Sequence, residues 1–404
     1  MGRVRITAEQ TTAPDGRVLT RAPGPRRLLA VVVGAGTALL VGSTAVLATT
    51  WPQEDDEPEA VSAEELYAGD QRAEELRLGY FPNVTHAPAL VGLQEDLFAE
   101  HLHGTAFHAE TFTAGPAALE ALTAGAVDAA FIGPNPAIHS YAQSGGESVV
   151  VVSGAASGGV QLIVREGIDS PEDLVGRELA TPQLGGTQDV AARVWLHEQG
   201  LTDEVDITPT DNPQVLRLFE QGRVDAAWVP EPWASRLVEQ AGGQVLVDER
   251  ELWPDGEFPT TVLAVNREYA EAHPQTVKDL AAATDAAVAW LQTSEEAEVH
   301  STLNAQLSED VGLELPEPVL TRALAHVTFT TDPVASAFPQ LVEDSVTAGT
   351  GHDVALDGLV VPAPVEPGSP EPTDDSEPSD DSEPSDDSAQ TDDDGVPSAG
   401  QEDR

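Results

Sequence analysis

The feature that most constrains this chain is a stretch that it contains twice. Residues 116–136 read PAALEALTAGAVDAAFIGPNP, and residues 213–232 read PQVLRLFEQGRVDAAWVPEP. In each copy a Pro leads an apolar-periodic run, and a Gly follows nine residues later (Gly125, Gly222). Val-Asp-Ala-Ala comes next, then an aromatic (Phe131, Trp228), a β-branched residue and a Pro-rich turn. Proline costs little in a first helical turn, where its missing N–H would have had no partner. Leu119 and Leu122, or Leu216 and Phe219, supply one apolar face. A left-handed Gly ends the helix, and the apolar run after it is a short buried strand. In open α/β sheets ligands sit beyond the C-terminal ends of such strands. Two copies about 97 residues apart are too widely spaced for a solenoid repeat. They imply two similar α/β lobes with a ligand between them.

Length and charge narrow the function. A chain of 404 residues has room for two domains plus extensions. A net charge of −51 argues against nucleic acid and anionic lipid as partners. There is no cysteine, hence no disulfide, thiolate metal site, Cys nucleophile or lipidated N-terminal Cys. Lys278 is the sole lysine, and no GxxxxGK[ST] precedes it.

Six arginines fall in residues 1–27, read as a basic cytoplasmic arm. Residues 28–48 then run for 21 positions without a charge, long enough to span ~30 Å of hydrocarbon. The arginine side would stay in the cytoplasm and the remainder would be exported. Two readings are open: a transmembrane signal anchor over residues 28–49, or a signal peptide cut after Ala48. Residues 50–75 read as an acidic spacer. Strand and helix patterns alternate from residue 76: strands at 76–81, 106–112, 149–153, 160–165, 178–181, 205–209 and 244–248, with helices at 89–98 and 187–199. Residues 260–266 read as a strand returning to the first lobe, and 274–348 as helices. The expected division is 76–160 for the first part of lobe one, 161–259 for lobe two and 260–350 for the return. Residues 365–404 are mostly Pro, Ser, Asp and Glu, with almost nothing apolar to bury, and are expected to be disordered.

Four blocks, taken in order, resemble a known family. They are LRLGYFPN, FTAGPAALEALTAGAVDAAFIGPNPAI, the segment running from GGVQLIVR to QDVAARVWL, and the segment from VDAAWVPEPWASRL to NREYAEAHP. Together, over about residues 76–292, they are similar to the substrate-binding proteins of ABC importers for sulfonates, taurine and nitrate. The resemblance implies a type II periplasmic-binding-protein fold, with two α/β lobes closing on a small anion. It also implies a permease with a cytoplasmic ATPase as partner. Relatives in Gram-positive bacteria are usually lipoproteins; without Cys, a membrane helix would have to replace the lipid. The acidic tail is not part of the family pattern.

An anion site in so acidic a protein can use helix N-termini, where free N–H groups and the positive dipole end face the ligand. Residues 113–116, with Gly115 and Pro116, offer one such start. The loop from Gln183 through Gly186, Thr187 and Gln188 offers another, and the resemblance implies ligand contacts at both. Asn83 and His86 follow the first strand, where the family places cleft residues. Asn135, between two prolines, is expected in a cleft-facing loop. Ser157 and Gly158 lie near the first crossover, where a plain hinge is the competing reading. Glu231 repels an anion, so it marks either a cationic group on the ligand or a structural role. Trp233 would pack on an organic tail or in the lobe core, and Thr260 would face the hinge. His101, His103 and His108 fit no metal spacing. No cofactor is expected, nor is catalysis. Asp128 and Asp225 hold the same place in both repeats, which points to a structural role. The expected function is a monomeric extracytoplasmic solute-binding protein. A binder of a thiamin-pyrimidine precursor, using Tyr80, Phe81 and Trp233, or an enzyme or sensor on the same fold, is the alternative.

Overall fold

The structure is a computed structural model that describes residues 10–12, 18–20, 62–113 and 115–364. The expected membrane segment at 28–49 and the acidic tail at 365–404 lie outside these residues. No helix among the described residues is long and apolar enough to cross a membrane.

Strands β1 (Gln10–Thr12) and β2 (Val18–Thr20) form a small antiparallel pair of their own. From residue 62 the order is α1 (Ala63–Leu66), β3 (Glu75–Tyr80), α2 (Ala87–Gln94), α3 (Leu97–His101), β4 (Ala106–Thr111), α4 (Gly115–Thr123), β5 (Ala129–Ile132), α5 (Pro134–Ser144) and β6 (Val149–Gly158). Next come β7 (Val160–Val164), β8 (Glu178–Thr181), α6 (Thr187–Glu198), β9 (Asp206–Pro209), α7 (Asn212–Glu220), β10 (Ala226–Pro230), α8 (Trp233–Ala241) and β11 (Gln244–Asp248). The chain ends with β12 (Pro259–Asn266), α9 (Arg267–Ala272), α10 (Pro274–Thr293), α11 (Glu296–Val311), α12 (Glu317–His326), β13 (Val327–Phe329) and α13 (Phe338–Thr347).

Two sheets result. The first has the order β13-β6-β12-β5-β3-β4, and the second β11-β7-β10-β8-β9. Each contains three parallel strands flanked by an antiparallel one. In the first sheet β4, β3 and β5 are parallel and β12 runs against β5; in the second β9, β8 and β10 are parallel and β7 runs against β10. The repeated stretch builds this likeness. Helices α4 and α7 end at Gly125 and Gly222, with φ of 66° and 68°, a conformation in which a Cβ is penalised. Strands β5 and β10 follow, fully buried.

The repeated aspartates do matching work. Asp128 Oδ2 accepts the N–H of Arg77 at 2.8 Å and the Arg77 guanidinium at 2.9 Å, while Asp128 N–H donates to the Arg77 carbonyl at 2.8 Å. Asp225 does the same at β8: it accepts the N–H of Glu178 at 3.4 Å and donates to its carbonyl at 3.0 Å. Each Asp thus clips the central strand to the start of the strand beside it.

The chain leaves the first sheet at Gly158-Gly159 and comes back through residues 249–258. Both glycines have positive φ, 74° and 71°. A Cβ on Gly158 would sit 2.4 Å from Arg250 Nε, and one on Gly159 would sit 2.4 Å from a Val327 methyl. Only glycine fits this crossing. The small-residue segment 154–159 continues β6 as far as Gly158, because Ala156 and Ser157 pair with both β12 and β13 and Gly158 pairs with β13. The short strand β13, inside a region expected to be helical, is the added edge.

Glu249 pins the second crossing. It is buried, and Trp228 Nε1–H donates to its Oε2 at 2.6 Å. Burial pushes its carboxyl up to about 8, against the opposing pull of the Trp228 and Trp253 N–H groups. The folded protein therefore holds a proton between its unfolded pKa, near 4.5, and about 8. Over that window the native state binds more protons than the unfolded chain, so this group's stabilisation is complete below the window and is lost as pH rises through it. Glu249→Gln keeps the acceptor without the titration. Across pH 5–8 the stability of the unmodified protein relative to this variant is expected to fall, as read by urea unfolding. A constant difference would contradict a buried, protonated Glu249.

Candidate functional site

The C-terminal ends of the parallel strands in the two sheets face one another across a cavity of about 50 Å³. At ~10–15 Å³ per held water, that is room for a few waters or one small oxyanion. After β3 come Phe81, Asn83, Thr85 and His86; after β5, Gly133; after β8, Pro182 and Gln183. The first residues of α4, α6 and α7 (Gly115, Thr187 and Asn212) complete the ring, with Thr260 and Thr261 from the start of β12.

Five helices of eight or more residues begin at this wall: α2, α4, α5, α6 and α7. Each contributes roughly half a positive charge of macrodipole; α2, α4, α5 and α7 carry Pro in the first turn, so only α6 starts with an unbroken run of N–H groups. None of the lining residues is Asp, Glu, Lys or Arg. Thr187 Oγ1 and Asn212 Oδ1 are buried and have no hydrogen-bond partner, so polar capacity is left over inside the cavity.

His86 is the one lining residue with an ionisable side chain. Its ring stacks on Phe81 with centroids 4.7 Å apart, and its Nδ1 accepts the Phe81 N–H at 3.3 Å. Burial pushes its pKa down to about 3. A neutral imidazole that accepts at Nδ1 carries its proton on Nε2. His86 is therefore a fixed, uncharged donor.

The lobes touch directly. Gly115 N–H donates to Gln183 Oε1 at 2.6 Å, and Trp233 Nε1–H donates to Asn83 Oδ1 at 2.9 Å. A Cβ on Gly133 would lie 2.6 Å from Thr187 Oγ1. Asp189, fully buried in α6, holds the facing loop: it accepts from Thr181 Oγ1 at 2.9 Å, from Gly185 N–H at 3.0 Å and from Arg193 Nε at 2.8 Å.

Of the residues singled out in the sequence, Asn83, His86, Gly115, Gln183, Thr187, Gln188 and Thr260 line the cavity. Pro116 and Gly186 face an adjoining chamber instead. Asn135 is not in a loop. Pro134 and Pro136 occupy the first turn of α5, and Asn135 turns away to donate to Ser345 Oγ at 3.0 Å on α13. Ser157 and Gly158 belong to the crossing: Ser157 Oγ accepts the Phe258 N–H at 3.3 Å, and the Gly158 carbonyl accepts the Thr260 hydroxyl. Glu231 is fully buried and accepts from Ser235 N–H at 3.0 Å and Arg322 Nη1 at 3.1 Å, which is the structural role. Trp233 is spent on its bond to Asn83. Tyr80 is likewise committed, its hydroxyl donating to Asp310 at 2.7 Å. That leaves Phe81 as the aromatic side chain on the cavity wall.

The sequence reading passed over Asn212 and Pro230, although the repeat itself marks them. Asn212 precedes Pro213 as Gly115 precedes Pro116, and Pro230 stands where Gly133 stands in the first copy. Thr85, Thr261 and Asp189 carried no such signal.

Comparison with known proteins places this geometry. The NMT1-like family pattern matches residues 69–305. The chain belongs to the NMT1-like family. Among its relatives, a protein of Brucella abortus (strain 2308) named as a putative binding protein is 28% identical over 253 residues, covering 58% of this chain and 75% of its own. The taurine-binding periplasmic protein of Escherichia coli (strain K12) is 28% identical over 197 residues, 48% of this chain and 60% of its own. A solved structure of the alkanesulfonate-binding protein of Xanthomonas axonopodis pv. citri, bound to MOPS, aligns with a TM-score of 0.62 at 23% identity. It covers 72% of this chain and 99% of that one. The likeness shows the fold of this NMT1-like chain: a mixed α/β, two-sheet architecture of the type II periplasmic-binding-protein kind.

Proposed function

We propose that this protein is the extracytoplasmic solute-binding component of an ABC importer. It captures a small organic or inorganic oxyanion between two lobes and delivers it to a permease with a cytoplasmic ATPase. The observation that carries this reading is the convergence of five helix N-termini and the His86 Nε2–H donor on a cavity with no Asp, Glu, Lys or Arg in its lining. Such donors stabilise negative charge without a counter-cation, which suits a chain as acidic as this one. The names of the taurine- and alkanesulfonate-binding relatives support the same ligand class. In this reading the lobes comprise 76–160 with 260–350, and 161–259, and the N-terminal apolar run anchors the protein to the membrane or directs its export. The protein binds and releases its ligand unchanged. Differential affinity for the closed state is the switch, and the permease reads closure through both lobes. Neither Tyr80 nor Trp233 lines the cavity, which weighs against a stacked pyrimidine ligand.

A thermal-shift panel of methanesulfonate, taurine, nitrate and an aminopyrimidine on the full chain tests this. A ligand at a hundred times its Kd is expected to add roughly 2.7 kcal/mol of stability. Shifts with sulfonates or nitrate are the expected result. A shift with the pyrimidine alone, or with none of the four, contradicts the reading.

A further inference from the structure

A second space lies against the anion cavity. It measures about 370 Å³ and is walled by Pro116 and Leu119 of α4, Pro136 of α5, and Leu184 and Gly186 of the loop before α6. Gln183 and Pro136 are common to both spaces. Leu184, on this wall, is 63% exposed.

Gln183 forms the partition. Its side chain lies in a slot between two glycines, one on each lobe. A Cβ on Gly115 would be 2.4 Å from Gln183 Nε2, and a Cβ on Gly186 would be 2.7 Å from Gln183 Cγ. The bond from Gly115 N–H to Gln183 Oε1, at 2.6 Å, holds the side chain there. That N–H belongs to the first residue of α4. An anionic oxygen is a stronger acceptor for it than a neutral amide carbonyl. An anion taking this N–H would release Gln183 and open the anion cavity into the chamber beside it.

We propose that Gln183 is a specificity-determining gate, and that the ligand is an organic anion whose apolar tail lodges against Leu119, Pro116 and Leu184. This rests on the oxyanion reading above and narrows it: a bare inorganic anion would leave the chamber unused. The apolar walls stand directly beside the anion cavity, and no Lys or Arg lines the chamber; His139 and Thr350 supply its polar side.

Calorimetric titration of the full chain with methane-, propane- and pentanesulfonate provides the test, alongside Leu184→Asp and Gln183→Ala. Affinity is expected to rise with each buried methylene, up to about fourfold apiece. Leu184→Asp, at an exposed position, is expected to flatten that rise while leaving methanesulfonate binding unchanged. Gln183→Ala, which removes the partition, is expected to raise the preference for pentane- over methanesulfonate, and an unchanged preference overturns the gate. Measurable binding with no dependence on tail length, or a slope that survives Leu184→Asp, overturns the gate and chamber while sparing the anion site. Binding of none of the sulfonates overturns both.

Discussion

Replacing Glu231 by alanine is expected to destabilise the fold by about 3–5 kcal/mol. Glu231 has no exposed surface, and its carboxylate is held by Arg322 of α12 and by the backbone N–H of Ser235. Burial pushes its pKa up, while Ser235 and Arg322 pull it back down. Arg322 also donates to Ser235 Oγ at 2.9 Å and to Gln161 Oε1 at 2.6 Å, so one guanidinium ties α12 to α8 and β7. Its side chain is only 15% exposed. Removing the carboxylate strands that cation in a site with little access to water, and the cost is that of an unpaired buried charge rather than of one lost contact. Urea unfolding at neutral pH reads the loss. A change below about 1 kcal/mol, the range of an exposed ion pair, would mean that the pair holds nothing together.

The second large effect falls on binding. Gly133→Val is expected to weaken sulfonate affinity at least about tenfold, by lowering the population of the closed state, with little change in the stability of the ligand-free protein. Gly133 caps α5 with φ −69° and ψ 153°, angles that any L residue adopts. The backbone is therefore not strained by the change. The added side chain projects at Thr187 Oγ1, across the cleft on α6, where even a Cβ would be 2.6 Å away. Thr187 is β-branched and sits in the first turn of its helix, so its freedom to turn aside is limited. The valine wedges the lobes apart at the point where the anion is to be held. Unchanged affinity in the variant would show that binding does not require this approach of the lobes.

The repeated stretch made the architecture legible. A helix closed by Gly, then a buried strand, then a Pro-rich turn is local chemistry, and its duplication implied two sheets before any tertiary contact was known. The helix starts at Gly115 and Thr187 were legible for the same reason. Side-chain direction was not. Pro134-Asn135-Pro136 reads as a loop from composition, yet proline is equally at home in a first helical turn. Packing of α5 against α13, more than two hundred residues away, decides where Asn135 points. Trp233 reaches Asn83 across the cleft, and Glu231 meets Arg322 ninety-one residues on. Such pairings depend on how the lobes and the C-terminal helices dock, which no local pattern encodes. Asn212 could have been found, by carrying the first copy's site residues onto the second.

The most direct test of the anion site is a crystal structure of the protein grown with 2-bromoethanesulfonate, with the ligand located by its bromine signal. The sulfonate oxygens are expected between the sheets, within about 2.7–3.2 Å of His86 Nε2, Thr187 Oγ1 and the first N–H groups of α4 and α6. A sulfonate seated on surface arginines, with the cavity between the sheets unchanged, would contradict the account.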